Sequence, residues 1–356
     1  MSARRIVIGC SVAAVVFLSV LVIGGFFLFR QMTAPVPLPP AARLADAGTL
    51  GLALVRLEPE DPWIKGTLAE LSKYSTEERK PADLFPIELI WAARRGSPEP
   101  EGHILSMTLS RNGRLVGMFG DVALWRAGRS VGGKVSRVEH HGEGITSFPG
   151  TSINGHVFIR DGTVVWSSDL DTAKAAVDLT LAAEGAAPPA EAGTSQVPIA
   201  ALLPQESPHA IAGAILNENG SLSRILGVLP GDALDIPADR LAAVSLLTFT
   251  FDATSATEGG GEVVLQLAEG ASSEEARRIA DDLAGRLLLV KLAQVVFQAT
   301  PRLESNRAFI AVKATGLDSL GAPLIQEMVR SFKKFESLKK GEAPPVDPNQ
   351  SSSTFQ

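Results

Sequence analysis

Residues 241–267 read LAAVSLLTFTFDATSATEGGGEVVLQL, and their interpretation decides the fold of the second half of the chain. Leu247, Phe249 and Phe251 alternate with polar or smaller residues, so they share one face of a strand at 241–251. Residues 262–267 alternate in the same way and read as its hairpin partner. Gly259, Gly260 and Gly261 between them read as the turn, because glycine reaches positive φ without a Cβ penalty.

Working outward, residues 209–216 read as a preceding strand and 222–229 as a short helix. After the hairpin, Ser272 or Ser273 starts a helix whose first turn carries Glu274 and Glu275, where carboxylates suit the helix dipole. The stretch 283–297 (LAGRLLLVKLAQVVF) is apolar on nearly every face, the mark of a helix buried on several sides. Residues 308–314 give a last strand. The order is β-α-β-β-α-β, the split βαβ or ferredoxin-like arrangement. A further helix at 318–339 presents Leu324, Met328, Phe332 and Phe335 along one stripe and is expected to dock on this domain.

The first half is strand-rich. Residues 49–57 read as a strand, and Asp61-Pro62 as a cap and first position of a helix with Ile64, Leu68 and Leu71 inward. Strands follow at 87–93, 103–111 and 115–119, the last two joined by Asn112-Gly113, a strong hairpin signal. A second hairpin pairs 157–160 with 164–167 around Asp161-Gly162. Ser168 or Asp169 then caps a helix with Ala173, Val177 and Leu181 inward. All four tryptophans, Trp63, Trp91, Trp125 and Trp166, fall in this half.

Ahead of both halves, residues 6–29 (IVIGCSVAAVVFLSVLVIGGFFLF) contain no charge. At about 1.5 Å per residue such a helix covers a hydrocarbon core of about 30 Å. A cleaved signal peptide has a shorter apolar run and a small-residue cleavage site. Arg4 and Arg5 place the N-terminus in the cytoplasm, against Arg30 and Arg43 on the other side. The expected fold class is therefore α+β: a single N-terminal transmembrane helix followed by two α+β domains, the second ferredoxin-like. The expected boundaries are an anchor at 1–30, a Pro-rich spacer at 31–45, a strand-rich domain at 46–183, a linker at 184–195, a second domain at 196–340 and a disordered tail at 341–356.

Composition narrows the chemistry. The net charge of -6 argues against nucleic acid, which requires a basic face. The single cysteine, Cys10, lies in the apolar run, so the remainder has no disulfide and no thiolate metal site. Gly128-Arg129-Ser130-Val131-Gly132 matches the G-x-S-x-G nucleophile pattern, which would make Ser130 the candidate catalytic residue with His140, His141 or His156 as base. That chemistry needs a helix directly after the serine, and the strand-like residues 134–138 follow instead. GRSVGGKV at 128–135 nearly matches a phosphate-binding loop but has Val135 where a magnesium-binding hydroxyl is required. Asp169 and Asp171 read as helix-capping carboxylates.

Glu139-His140-His141-Gly142-Glu143 is the one imidazole cluster. Neighbouring strand residues point to opposite faces, so His141 with Glu139 or Glu143, and His156 as a third ligand, form the candidate metal set. No cofactor is implied. The layout is similar to that of many single-pass bacterial envelope proteins. Function is expected to be non-enzymatic: a protein of the cell inner membrane, anchored in the lipid bilayer through residues 6–29, whose soluble extracytoplasmic portion binds or scaffolds an envelope protein or an apolar ligand.

Overall fold

The structure, a computed structural model, describes residues 41–72, 85–96, 102–109, 120, 124, 135–149, 155–183, 199–203, 210–228, 234–290 and 294–320. The apolar run at 6–29, the linker at 184–195 and the tail lie outside the described residues. So does the helix expected at 318–339, except for its first three residues. Among the described residues no helix is long and apolar enough to cross a membrane. The chain divides into two compact units, Met1–Arg56 with Leu84–Ala201 and Leu57–Asp83 with Leu202–Gln356.

The first unit is built on strands β1 (Thr49–Leu57), β2 (Ile87–Arg94), β3 (Gly102–Leu109), β4 (Ser136–His140), β5 (Glu143–Ser147), β6 (His156–Arg160) and β7 (Thr163–Ser167). Their order is β1-β2-β3-β7-β6-β5-β4. The neighbours from β2 to β4 all pair antiparallel. Two of the hairpins close through two residues at positive φ, His141 (50°) with Gly142 (83°) and Asp161 (47°) with Gly162 (78°). That geometry matches the right-handed twist of the strands on either side. A helix at Leu170–Ala183 packs on β3, β5, β6 and β7, with Ala173, Ala176, Val177, Thr180 and Leu181 buried. Asp169 caps it: the Thr172 amide donates to Oδ1 at 2.8 Å. Ile90, Ile104, Ile145, Phe148 and Phe158 are fully buried.

The second unit contains the helices Pro62–Ser72, Ser221–Val228 and Ser273–Leu287, with strands β8 (Ile211–Leu216), β9 (Val244–Ala253), β10 (Glu258–Leu267), β11 (Val296–Glu304) and β12 (Arg307–Thr315). The order is β11-β12-β10-β9-β8, with antiparallel neighbours throughout. Ser272 caps Ser273–Leu287 by accepting from the Glu275 amide at 3.2 Å. Ala276, Ile279, Ala280, Leu283 and Ala284 are buried, the i, i+3, i+4, i+7, i+8 stripe of an amphipathic helix. It packs on β11 and β12. Burying Ile279 and Leu283 contributes about 1.5–3 kcal/mol each. Trp63 packs against Val295, Ala314 and Leu317, so it belongs to this core and not to the strand-rich unit that holds Trp91 and Trp166.

These observations overturn the α+β, ferredoxin-like expectation. Among the described residues twelve strands carry the two units, the recorded neighbours pair antiparallel, and helices are few. A split βαβ unit sets the strands on either side of a helix parallel, whereas β8 pairs antiparallel with β9 across Ser221–Val228. Two local readings are also corrected. Residues 283–297 are not one helix: it ends at Leu287, and Val296 opens β11. The β-branched and aromatic residues Val296 and Phe297 begin the strand that completes the open edge of β12 instead, satisfying backbone groups that a longer helix would leave unpaired. The glycines at 259–261 are not the turn but part of β10. A Cβ at Gly261 would sit 1.9 Å from the Thr250 carbonyl oxygen, and one at Gly259 would sit 2.6 Å from the Phe251 ring. Glycine is required there by close approach, and the turn falls at residues 254–257.

Candidate functional site

The register fixes which side chains share a face. His140 opposes Glu143, and Ser147 opposes His156. With His156 opposite Ser167, all of these lie on the helix-covered face of the first sheet, while Glu139 falls on the other face and is exposed. His141 is not a strand residue at all. Its φ of 50° turns it out of the alternation, and its ring comes to lie 4.3 Å from that of His140, centroid to centroid. Both rings converge on Asp178 of the helix Leu170–Ala183. His140 Nε2 lies 2.8 Å, and His141 Nε2 3.5 Å, from the same oxygen, Oδ1.

The set expected from sequence is therefore dispersed. Glu143 is held in an ion pair with Arg160. His156 is in a 2.8 Å hydrogen bond through Nδ1 with the Ser147 hydroxyl. Burial holds the His156 imidazole below its ordinary pKa, and the nearby Asp169 carboxylate offsets part of that. Burial pulls Asp169 up, but it ends below its ordinary value. The Thr172 amide and hydroxyl, the Ser168 hydroxyl and the charge of His156 all favour the carboxylate. Ser130 lies outside the described residues. His140, His141 and Asp178 are brought together, and all their ligand atoms fall within 4.8 Å of one another. Asp178 carries no local sequence signal, being 38 residues from His140.

The opposite face of the same sheet holds a second feature. Trp91 opposes Leu105, which opposes Trp166; Leu89 opposes Met107, which opposes Val164. These six side chains form two apolar rows across β2, β3 and β7. Leu105 is 43% and Met107 36% exposed, and the other four are half-buried. His103 stacks on Trp91 at the end of the patch, with ring centroids 5.9 Å apart. The buried face beneath carries Glu88, Ser106, Thr108, Thr163 and Ser167 beside its aliphatic residues. Farther along this face Thr146 and Val157 are buried and a Cβ at Gly120 would sit 2.2 Å from Ile159, so the exposed part is the patch at Leu105 and Met107. Large apolar side chains left exposed on a sheet mark a surface that meets something other than water.

No family model matches the chain. No curated protein matches it. A solved structure described as "Structure of crystal form III of TP0453" is 13% identical over an alignment covering 82% of this chain and 99% of that one, with a TM-score of 0.41; a likeness so distant transfers no role.

Proposed function

We propose that this is a non-enzymatic binding protein, held at a bilayer by residues 6–29, that engages an apolar ligand or an apolar partner segment at the exposed Leu105 and Met107 patch of its first unit. The observation that carries the reading is the pair of rows Trp91–Leu105–Trp166 and Leu89–Met107–Val164. Tryptophan and methionine are enriched at protein interfaces, and tryptophan is among the residues that carry most of the binding energy there. The uncharged run at 6–29 supports the tether, and the Arg4–Arg5 pair supports an extracytoplasmic location for the sheets.

The full chain in lipid nanodiscs, titrated with an environment-sensitive anilinonaphthalene probe, tests the binding face. Probe fluorescence above that of empty nanodiscs, abolished by Leu105→Lys with Met107→Lys while circular dichroism is unchanged, supports the reading. Equal fluorescence from the variant would overturn it. The location is tested by protease on a C-terminal epitope tag: loss of the tag from intact spheroplasts supports it, and loss only after lysis contradicts it.

A further inference from the structure

We propose that His140, His141 and Asp178 form a binding site for one divalent late first-row transition metal ion, with zinc as the test case. The three groups come from the β4–β5 hairpin and the helix Leu170–Ala183 of the first unit. His140 ends β4, on the face that the helix Leu170–Ala183 covers; His141 is the first residue of the turn; and Asp178 stands on the helix above them. The turn makes the convergence possible. A one-residue continuation of the strand would send the second ring to the far side of the sheet, but positive φ at His141 and Gly142 brings it back. A Cβ at Gly142 would meet nothing within 4 Å, so glycine serves conformation there and not packing.

The spacing suits a metal. Ligand bonds of about 2.0–2.1 Å in tetrahedral geometry put neighbouring ligand atoms about 3.3–3.4 Å apart. The two imidazole nitrogens lie 2.8 and 3.5 Å from Asp178 Oδ1, on either side of that value. Shifts of a few tenths of an ångström at those two contacts meet the requirement. Competing partners are engaged elsewhere: Glu143 by Arg160 and His156 by Ser147. Two imidazoles and one carboxylate select zinc, nickel or copper(II) over calcium and magnesium, which take oxygen ligands. Three protein ligands leave a fourth position for water or for a group on a bound partner. His141 is 64% and Asp178 47% exposed at the side chain, so the ion enters from solvent and exchanges. Bound there, it ties the β4–β5 hairpin to the helix.

The test uses the full chain without a His tag, in nanodiscs, stripped with chelator and titrated calorimetrically with zinc. The expected result is one equivalent bound, with a rise in melting temperature that follows from binding the folded state. Binding is expected to vanish in His141→Gln and in Asp178→Asn, and to persist in His156→Gln and Glu139→Gln. Cobalt(II) in place of zinc is expected to give the visible absorption of a four-coordinate ion in the wild type and to lose it in His141→Gln. His141 and Asp178 are exposed enough that both variants are expected to fold, which far-ultraviolet circular dichroism without metal checks. No stoichiometric zinc on the wild type would overturn the proposal, as would an unchanged isotherm in both His141→Gln and Asp178→Asn.

Discussion

The strands of the two units differ in what they leave exposed. In the second unit the side of the sheet away from its helix is polar. Gln298, Thr300, Arg302 and Glu304 on β11 stand opposite Lys313, Ala311, Phe309 and Arg307 on β12. Arg302 bonds Glu262 and Glu304, each at 3.1 Å, and covers the Phe309 ring at 4.6 Å. Water and ion pairs satisfy that surface, and β12 alternates cleanly between buried and exposed. In the first unit the helix-covered side mixes the apolar Ile90, Ile104, Ile145, Phe158 and Val165 with the polar Glu88, Ser106, Thr108, Thr163 and Ser167, whereas Trp91, Leu105, Met107 and Trp166 stand on the other side, where Leu105 and Met107 are exposed. An antiparallel sheet ordinarily gains stability by placing apolar residues inward and polar ones outward. Strands that bury polar groups among their core residues and leave large apolar ones exposed are organised around what meets the exposed patch.

The comparison breaks most visibly at Glu88. This carboxylate is fully buried and is paired at 2.9 Å with Arg56. Arg56→Met leaves the charge buried alone and is expected to cost about 3–5 kcal/mol in urea unfolding. A loss below about 1 kcal/mol would show that the buried Glu88 carboxylate does not depend on Arg56. Next come neighbours of opposite face on β3. Ile104→Ala, at a fully buried position, is expected to cost about 2–4 kcal/mol. Leu105→Ala is expected to cost under about 1 kcal/mol in stability while weakening probe binding. Equal costs would erase the distinction between the faces.

Acid is expected to act on the first unit ahead of the second. His156 is held below its ordinary value of 6.5, so the unfolded chain binds its proton first, and stability falls as pH drops below that value. Asp169 is held below 3.8, so its contribution is present above that pH and is lost as pH falls through its folded value. Both signs agree: lower pH destabilises. In a Trp63→Phe background the remaining tryptophans, Trp91, Trp125 and Trp166, belong to the first unit, and their fluorescence is expected to report its earlier acid transition. Simultaneous loss of all circular dichroism signal would contradict this. The smallest effect is expected at the second sheet's exposed ion pairs, where Arg302→Met costs at most about 1 kcal/mol and fades with salt.

Local chemistry made part of this legible in the sequence. Asp161-Gly162 specifies its turn, Ser272 and Asp169 specify their caps, and the Leu247, Phe249 and Phe251 face follows from alternation. The remainder depended on partners that local pattern does not reveal. Residues 283–297 suit a helix or a helix and a strand equally well until the open edge of β12 is present to receive Val296. Three glycines read as a turn until Phe251 and the Thr250 carbonyl are seen pressed against them. On β3, GHILSMTL carries apolar residues at both parities, so nothing in it says that Ser106 goes in and Leu105 out. The histidines were visible, but the turn that rotates His141 and the helix that delivers Asp178 were not.

The most direct test of the exposed apolar patch on the first unit is site-specific photocrosslinking in the cells that make the protein. A benzophenone amino acid would be placed at Met107 in that patch and at Ala311 on the polar face of the second unit's strands. Adducts to lipid or protein at 107 and none at 311 are what a binding patch at Leu105 and Met107 predicts. Equal labelling at both, or adducts at 311 alone, would contradict it.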